Sequence, residues 1–226
     1  TFSLKRYVDD ETGTTIIIPY LNPLEAAHSE DSILTYEWEK TRERAVWMAV
    51  QRWYGPRIEN ATYSKVLGNS KLQCRVNGEV MHPLVNFEPT FKLFQELYTA
   101  ALVGKSDKPN IYVEGLKFGR SVMENRAEVV GHIAFCEVSR EQLEMTAPNN
   151  KPSALAYIGL KDKTKIDQNT SKIVAYSRKP GMIVEYSVDG AWTPSEFVQQ
   201  DDHLLFAFFV PNSAGKLDKK YVDMGY

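Results

Sequence analysis

Residues 204–211 read LLFAFFVP, the longest apolar run in the sequence. The run is rich in residues that favour β-structure, and it is far too short to span a bilayer. A strand that is apolar throughout is typical of the centre of a sheet that is covered on both faces. We therefore predict that Leu204 to Val210 forms a central strand.

The rest of the C-terminal half also predicts strands, separated by turn sequences. The candidate segments are Ile111 to Val113, Val129 to Val138, Ala154 to Leu160, Ile173 to Ser177 and Met182 to Val188. Pro180-Gly181 and Asp189-Gly190 would make consecutive strands antiparallel neighbours. The capping-box patterns Ser139-x-x-Gln142 and Thr193-x-x-Glu196 predict two short helices, the second reaching about Gln200.

The N-terminal half predicts two amphipathic helices. The first is capped by Asp31 or Ser32 and ends at Gly55-Pro56, since that pair stops helices. Spacing places four of its residues on one stripe: Trp38, Ala45, Ala49 and Trp53. The second begins at Pro89 and ends at Gly104. Its apolar face consists of Phe91, Phe94, Tyr98, Ala101 and Leu102.

Two further strand signals precede and separate these helices. Thr14 to Tyr20 is β-branched and predicts an early strand. Asn77-Gly78 lies between Lys71 to Val76 and Glu79 to Met81, which is the strongest short signal for a hairpin.

These elements predict an α+β fold, a mostly antiparallel or mixed sheet with two main amphipathic helices packed on one face. The chain of 226 residues is 43% hydrophobic and 25% charged, as globular proteins are. We expect a single domain over 1–226, with a helix-rich half to about residue 105 and a β-rich half from about 106.

Charge and cysteine content limit the partners and the compartment. The 27 basic and 29 acidic residues give a net charge of −2, which argues against a large phosphate-binding face. We expect no membrane partner and a cytoplasmic or virion location. Cys74 and Cys136 are predicted to be free thiols. The N-glycosylation triplets N-x-[ST] that start at Asn60 and Asn169 are relevant only if the chain is secreted.

No pattern in the sequence indicates a cofactor or metal. The four histidines are scattered, with no H-x-x-x-H and no Cys-x-x-Cys. Gly104-Lys105-Ser106 resembles the end of a phosphate loop, but Thr99 stands where the loop requires glycine. His132 and Cys136 share a face of their predicted strand, about 13 Å apart, too far for a catalytic dyad.

Two alternative functions would each require a site: a catalytic site or a nucleic-acid-binding site. A small hydrolase would use Asp202 with His203 or His132 as general base, since these residues enter predicted strands. Glu137 and Glu185 would be its candidate paired carboxylates. A single-strand nucleic-acid binder would use cations that lie beside aromatic residues. These cations are Arg6, Lys117, Arg120, Arg178 and Lys179.

The preferred hypothesis is a non-catalytic structural subunit. Aromatic residues make up 12% of the chain, and aromatic side chains are enriched where proteins meet. No catalytic group is assembled by any motif. We expect the chain to contact itself or other protein subunits, for example in a viral or phage particle.

Overall fold

A computed structural model describes residues 36–117, 129–160, 172–189 and 202–212. The helices are α1 (Glu37–Lys40), α2 (Arg42–Tyr54), α3 (Ala61–Leu67), α4 (Pro89–Val103) and α5 (Ala154–Tyr157), with a 3₁₀ turn at Gly55–Arg57. The strands are β1 (Arg75–Val76), β2 (Glu79–Val80), β3 (Tyr112–Leu116), β4 (Gly131–Ser139), β5 (Lys172–Ser177), β6 (Ile183–Ser187) and β7 (His203–Pro211). This composition confirms the α+β class.

The apolar run lies at the centre of the main sheet, as predicted. The five strands follow the order β3-β4-β7-β5-β6. Strand β7 pairs antiparallel with β4 from His203 opposite Ser139 to Pro211 opposite Gly131, and parallel with β5. The sheet is therefore mixed.

The two faces of this sheet differ in their cover. On the helix face, Leu204, Phe206, Phe208 and Val210 are buried. On the opposite side, which we call the outer face, Leu205 and Phe209 are half-buried. Complete cover of β7 on both faces was therefore a wrong prediction, although its central position is confirmed.

Helix α4 covers the helix face. It begins at Pro89 and ends at Gly104, whose φ of 78° closes the helix in the left-handed conformation, as the sequence predicts. Phe94 lies 5.2 Å from Phe206 and 6.2 Å from Phe208 between ring centroids, and Tyr98 lies 5.5 Å from Phe208. This aromatic contact joins the two halves of the chain in one hydrophobic core.

The first helix differs from its prediction. Thr41 interrupts it, and its hydroxyl caps α2 by accepting from the N–H of Arg44. The predicted cap positions lie outside the described residues. The buried side of α2 carries Trp47, Met48 and Gln51. The predicted stripe of Trp38, Ala45, Ala49 and Trp53 is not the buried side of α2: Ala49 and Trp53 are exposed, and Trp38 belongs to α1, on the other side of the interruption at Thr41.

Three predictions near turns also need correction. Ala154 to Leu160 is not a strand; Ser153 caps a short helix there by accepting from the N–H of Ala156. Ser139 and Gln142 make both capping-box hydrogen bonds, but only turns follow. Asp189-Gly190 was predicted to make consecutive strands antiparallel neighbours, but among the described strands β7 lies beside β4 and β5 rather than β6, and Gly190 itself lies outside the described residues.

The hairpin at Asn77-Gly78 is confirmed. Both residues have positive φ, 50° and 87°, as the tight hairpin turn requires. Its strands β1 and β2 are only two residues long. The predicted strand Thr14 to Tyr20 and the predicted helix from Thr193 to about Gln200 lie outside the described residues.

Candidate functional site

The two histidines of the hydrolase hypothesis are far apart. His132 is opposite Val210, whereas His203 is opposite Ser139, at the other end of the β4–β7 pair. Seven residues along a strand span about 23 Å. His132 lies on the helix face, where a Cβ on Gly104 would come within 3.0 Å of its Nε2. His203 lies on the outer face, so the two side chains lie on opposite sides of the sheet.

Of the carboxylates of the same hypothesis, Glu137 on β4 lies on the outer face, two register positions from His203 on β7. Asp202 has a φ of 77° and its carboxylate lies 3.6 Å from Nε of Arg140. Glu137 and Glu185 both lie on the outer face, separated by about 14 Å across the strands and about 13 Å along them. Paired catalytic carboxylates lie within about 10 Å. These two glutamates therefore cannot act as such a pair.

Both cysteines are free in the structure. Burial raises the pKa of Cys136 to about 12, and burial also raises the pKa of Cys74. Thiolates rather than thiols act as nucleophiles and metal ligands. Neither cysteine is activated, and Cys136 is inert at neutral pH.

The side chain of Asn60 is likewise engaged in hydrogen bonds within the fold. Its side chain is 7% exposed. The amide nitrogen donates to the carbonyl of Pro56 and to Oγ1 of Thr99, and the amide oxygen accepts from the N–H of Tyr63. The glycosylation triplet at Asn60 is thus a helix cap whose nitrogen is not accessible. Asn169 lies outside the described residues.

The structure brings together a polar cluster that the sequence analysis missed. Oε2 of Glu88 accepts from Nζ of Lys151 at 2.9 Å and from the hydroxyl of Tyr157 at 3.0 Å. Glu144 lies 3.2 Å from the same lysine. The amide oxygen of Gln51 accepts from the N–H of Glu88 at 2.9 Å. No spacing motif links these residues, because they come from three separate parts of the chain.

The electrostatics of this polar cluster oppose catalysis by Tyr157. Burial, and then the charge of Glu88, raises the pKa of this tyrosine. Burial lowers the pKa of Lys151, but hydrogen bonds to Glu88 and Glu144 raise it overall. A tyrosine that acts as a base needs the opposite shift. The cluster can donate hydrogen bonds and fasten the segment around Lys151 to α4, and we regard it as structural.

Replacing Tyr157 by phenylalanine is expected to lower the free energy of unfolding by about 1–2 kcal/mol at neutral pH, because a hydrogen bond to a carboxylate is lost. Urea unfolding measures the change. A loss below about 0.3 kcal/mol would contradict a fastening role. Arg44→Ala on the exposed first turn of α2 is a control that touches no part of the cluster.

Stability is also expected to fall above pH 10. Burial raises the pKa of Tyr98, Tyr157 and Tyr186, whereas an unfolded tyrosine ionises near pH 10. The folded state therefore keeps these protons, and the stability that they contribute is complete below pH 10 and declines above it. Each such group steepens the decline by about 1.4 kcal/mol per pH unit. The slope of Tyr157→Phe should be shallower than that of the wild type by about this amount; an unchanged slope would contradict the assignment.

Three of the residues predicted to bind nucleic acid lie at the same end of the main sheet. Lys117 follows Leu116, which is level with Gly131 and Pro211. Arg178 and Lys179 follow β5 at the same end of the sheet, because Tyr176 pairs with Phe209. Arg6 and Arg120 lie outside the described residues. Three strand spacings place Lys117 about 14 Å from Arg178.

Among the described residues, the aliphatic side chains with the highest exposed fractions lie on the loop of residues 82–87, which we call the 82–87 loop. Leu84 is 78% exposed and Val85 is 79% exposed. Buried Met81 and Phe87 anchor the two ends of the loop. The sequence offered a signal, since an apolar pair lies between His82-Pro83 and Asn86, where turn residues are expected.

Hydrogen bonds fix the shape of this loop. The side-chain oxygen of Asn86 accepts from the N–H of His82 at 2.8 Å, and its amide nitrogen donates to the carbonyl of Val80 at 3.0 Å. The N–H groups of Val85 and Asn86 both donate to the carbonyl of His82. Leu84 and Val85 are therefore presented by an ordered backbone.

An open groove lies beside the 82–87 loop. It has a volume of about 600 Å³ and is lined by Ala61, Ser64, Ser70, Lys71 and Gln73. We call it the α3 groove. The N–H of Met81 donates to the carbonyl of Cys74 at 2.9 Å, which places the start of the loop next to Gln73. Loop and groove are thus neighbours on one surface.

The described residues show neither a metal cluster nor a membrane-spanning helix. Among them, no three His, Cys, Asp or Glu residues are placed to hold a metal ion. None of the described helices is long and apolar enough to cross a membrane. No family model, curated protein or solved structure matches this chain. Function must therefore be argued from the surfaces described above.

Proposed function

We propose that this protein is a non-catalytic assembly subunit that contacts a second copy of itself. The observation that carries the proposal is the pair Leu84 and Val85, almost fully exposed on the ordered 82–87 loop. Exposed aliphatic patches on an ordered backbone are typical of protein interfaces. Ordering the loop beforehand lowers the entropy cost of association.

The α3 groove supports a second copy as the partner. A projecting loop beside a groove forms a surface that is complementary to itself after a two-fold rotation. Each copy would insert Leu84 and Val85 into the groove of the other, against Ala61 and the stem of Lys71. The net charge of −2 adds little repulsion between copies.

The hydrolase alternative lacks support from geometry. His132 and His203 lie at opposite ends and on opposite faces of the β4–β7 pair. The carboxyl groups near His203 include Asp202, which Arg140 engages. A general base needs its partner within hydrogen-bond reach. Alanine at both histidines is expected to leave self-association unchanged.

Replacing Leu84 by aspartate is expected to weaken self-association at least about thirtyfold, as loss of a central interface residue does. Sedimentation velocity at micromolar concentrations measures the dissociation constant. Stability should change by less than about 0.5 kcal/mol, because the side chain is exposed.

The matched control is Val46→Asp, which makes the same kind of change at a residue of α2 that is 49% exposed. This variant should associate like the wild type. A wild-type chain that stays monomeric over the whole range, or a Leu84→Asp variant that associates normally, would refute the proposal.

A further inference from the structure

We infer that the turn between β5 and β6 forms a phosphate-binding site, with Arg57 and Arg178 as its principal ligands and Lys117 and Lys179 at its margin. This site lies at the end of the sheet where β7 terminates. It is distinct from the 82–87 loop, so it does not depend on the proposed assembly function.

Arg57 is the first support for this inference. A Cβ on Gly181 of the turn would lie 3.0 Å from Cγ of Arg57 and 2.9 Å from the hydroxyl of Tyr98. The Nε–H of Arg57 is buried, yet it has no acceptor among the described residues. Its guanidinium lies 5.3 Å from the centre of the Tyr63 ring. Buried donors without acceptors are rare and require an explanation.

A second buried group borders the same turn. Ser177 is 6% exposed, and its hydroxyl also has no partner within the described part of the chain. The next residue, Arg178, is exposed, and no described carboxylate pairs with its guanidinium. The hydroxyl of Tyr98 donates to the carbonyl of Lys179 at 2.8 Å and fixes the turn.

The chemistry of these groups selects a phosphate. Arginine offers several N–H donors in a planar arrangement that matches the oxygens of phosphate. Glu59, two residues from Arg57 in the chain, pairs with Lys71. A phosphate could come from a small phosphorylated molecule or from the backbone of a single-stranded nucleic acid, which Lys117 and Lys179 would follow.

Two probes test the site and distinguish the sources of phosphate. Inorganic phosphate is titrated into the full chain while NMR follows the Arg57 Nε–H signal. A fluorescein-labelled oligouridylate is titrated at low salt, with anisotropy as the readout. We expect phosphate to shift the Arg57 signal. Binding of both probes, with affinity for RNA falling as salt rises, assigns the site to nucleic acid. Binding of phosphate alone assigns it to a small ligand.

Variants make the test specific. Arg57→Met keeps the aliphatic stem and removes the donors, and Arg178→Ala alters an exposed residue. Each should weaken binding about tenfold or more, as lost bonds to a charged group do. Arg44→Ala removes the same charge on α2 and should bind like the wild type. Leu84→Asp should also retain binding, which separates this site from assembly.

Three results would overturn the inference. The first is no response to either probe at low salt. The second is an equal loss of binding in Arg44→Ala, which would indicate attraction by overall charge. The third is a lower thermal midpoint of Arg57→Met with unchanged binding, which would assign Arg57 to packing. For a ligand site, the midpoint of Arg57→Met without phosphate should equal or exceed that of the wild type.

Discussion

Phe208→Ala is expected to lower the free energy of unfolding by about 3–5 kcal/mol. The side chain is 0% exposed and packs against Phe94 and Tyr98 of α4. Removing it leaves a cavity where the central strand meets the helix. A domain is stable by only about 5–15 kcal/mol, so the loss is a large share of the total. Urea unfolding followed by far-UV dichroism measures it.

The adjacent residue is the control for this prediction. Phe209 lies on the outer face and is half-buried, so Phe209→Ala should cost only about 1–2 kcal/mol. Equal losses at the two positions would contradict the placement of the core on the helix face. If Phe208→Ala does not fold, Phe208→Leu keeps most of the volume and should cost about 1–2 kcal/mol.

Gly131→Ala is expected to destabilise the protein by about 3 kcal/mol, through a steric clash. A Cβ at this position would lie 2.5 Å from the carbonyl oxygen of Val210 and 2.7 Å from the Phe209 ring. The carbonyl belongs to the central strand, opposite the start of β4. It cannot move without disturbing the pairing between β4 and β7.

Gly55→Ala provides the comparison for Gly131→Ala. A Cβ there would meet only the Phe87 ring, at an ordinary 3.5 Å, and the backbone is helical with φ of −46°. The gain through the unfolded state from removing a glycine is offset here, because Pro56 follows and its ring disfavours the helical conformation for a residue with a Cβ. We therefore expect the free energy of unfolding to change by less than about 1 kcal/mol. Equal effects of the two substitutions would show that the approach of β4 to β7 is looser than described.

Local chemistry made part of the fold predictable. Pro89 and Gly104 define α4 because one fits the first turn of a helix and the other fits the left-handed residue after it. Asn77-Gly78 predicted its hairpin for a similar reason. The apolar run from Leu204 to Val210 predicted the central strand, since a strand that is apolar throughout is typical of the interior of a sheet. Each of these signals lies within a few adjacent residues.

The errors arose where a tertiary contact overrides the local pattern. Gln51 is polar but buried in α2, because its amide accepts from the N–H of Glu88. Ala154 to Leu160 is apolar enough for a strand, and the cap at Ser153 decides for a helix. The parallel pairing of β5 with β7 places β7 next to β5 rather than next to β6, and no turn sequence reveals that order.

The candidate surfaces were harder to predict than the fold. Lys117, Arg178 and Lys179 were identified from their neighbours in sequence, but their proximity follows from strand order. Arg57 carried no signal, because its significance lies in a buried N–H without an acceptor. Exposure of Leu84 and Val85 likewise follows from burial of their neighbours Met81 and Phe87. Hydrophobic residues are usually buried, so the sequence alone would predict that Leu84 and Val85 are buried as well.

The reciprocal contact between copies is tested most directly by mixing two defective variants. Leu84→Asp damages the loop and keeps the α3 groove, whereas Ala61→Trp fills the groove and keeps the loop. Native mass spectrometry of the mixture should show a heterodimer, because one loop still meets one intact groove, while each variant alone stays monomeric. Wild-type dimers without any heterodimer, or normal dimers of either variant alone, would contradict the account.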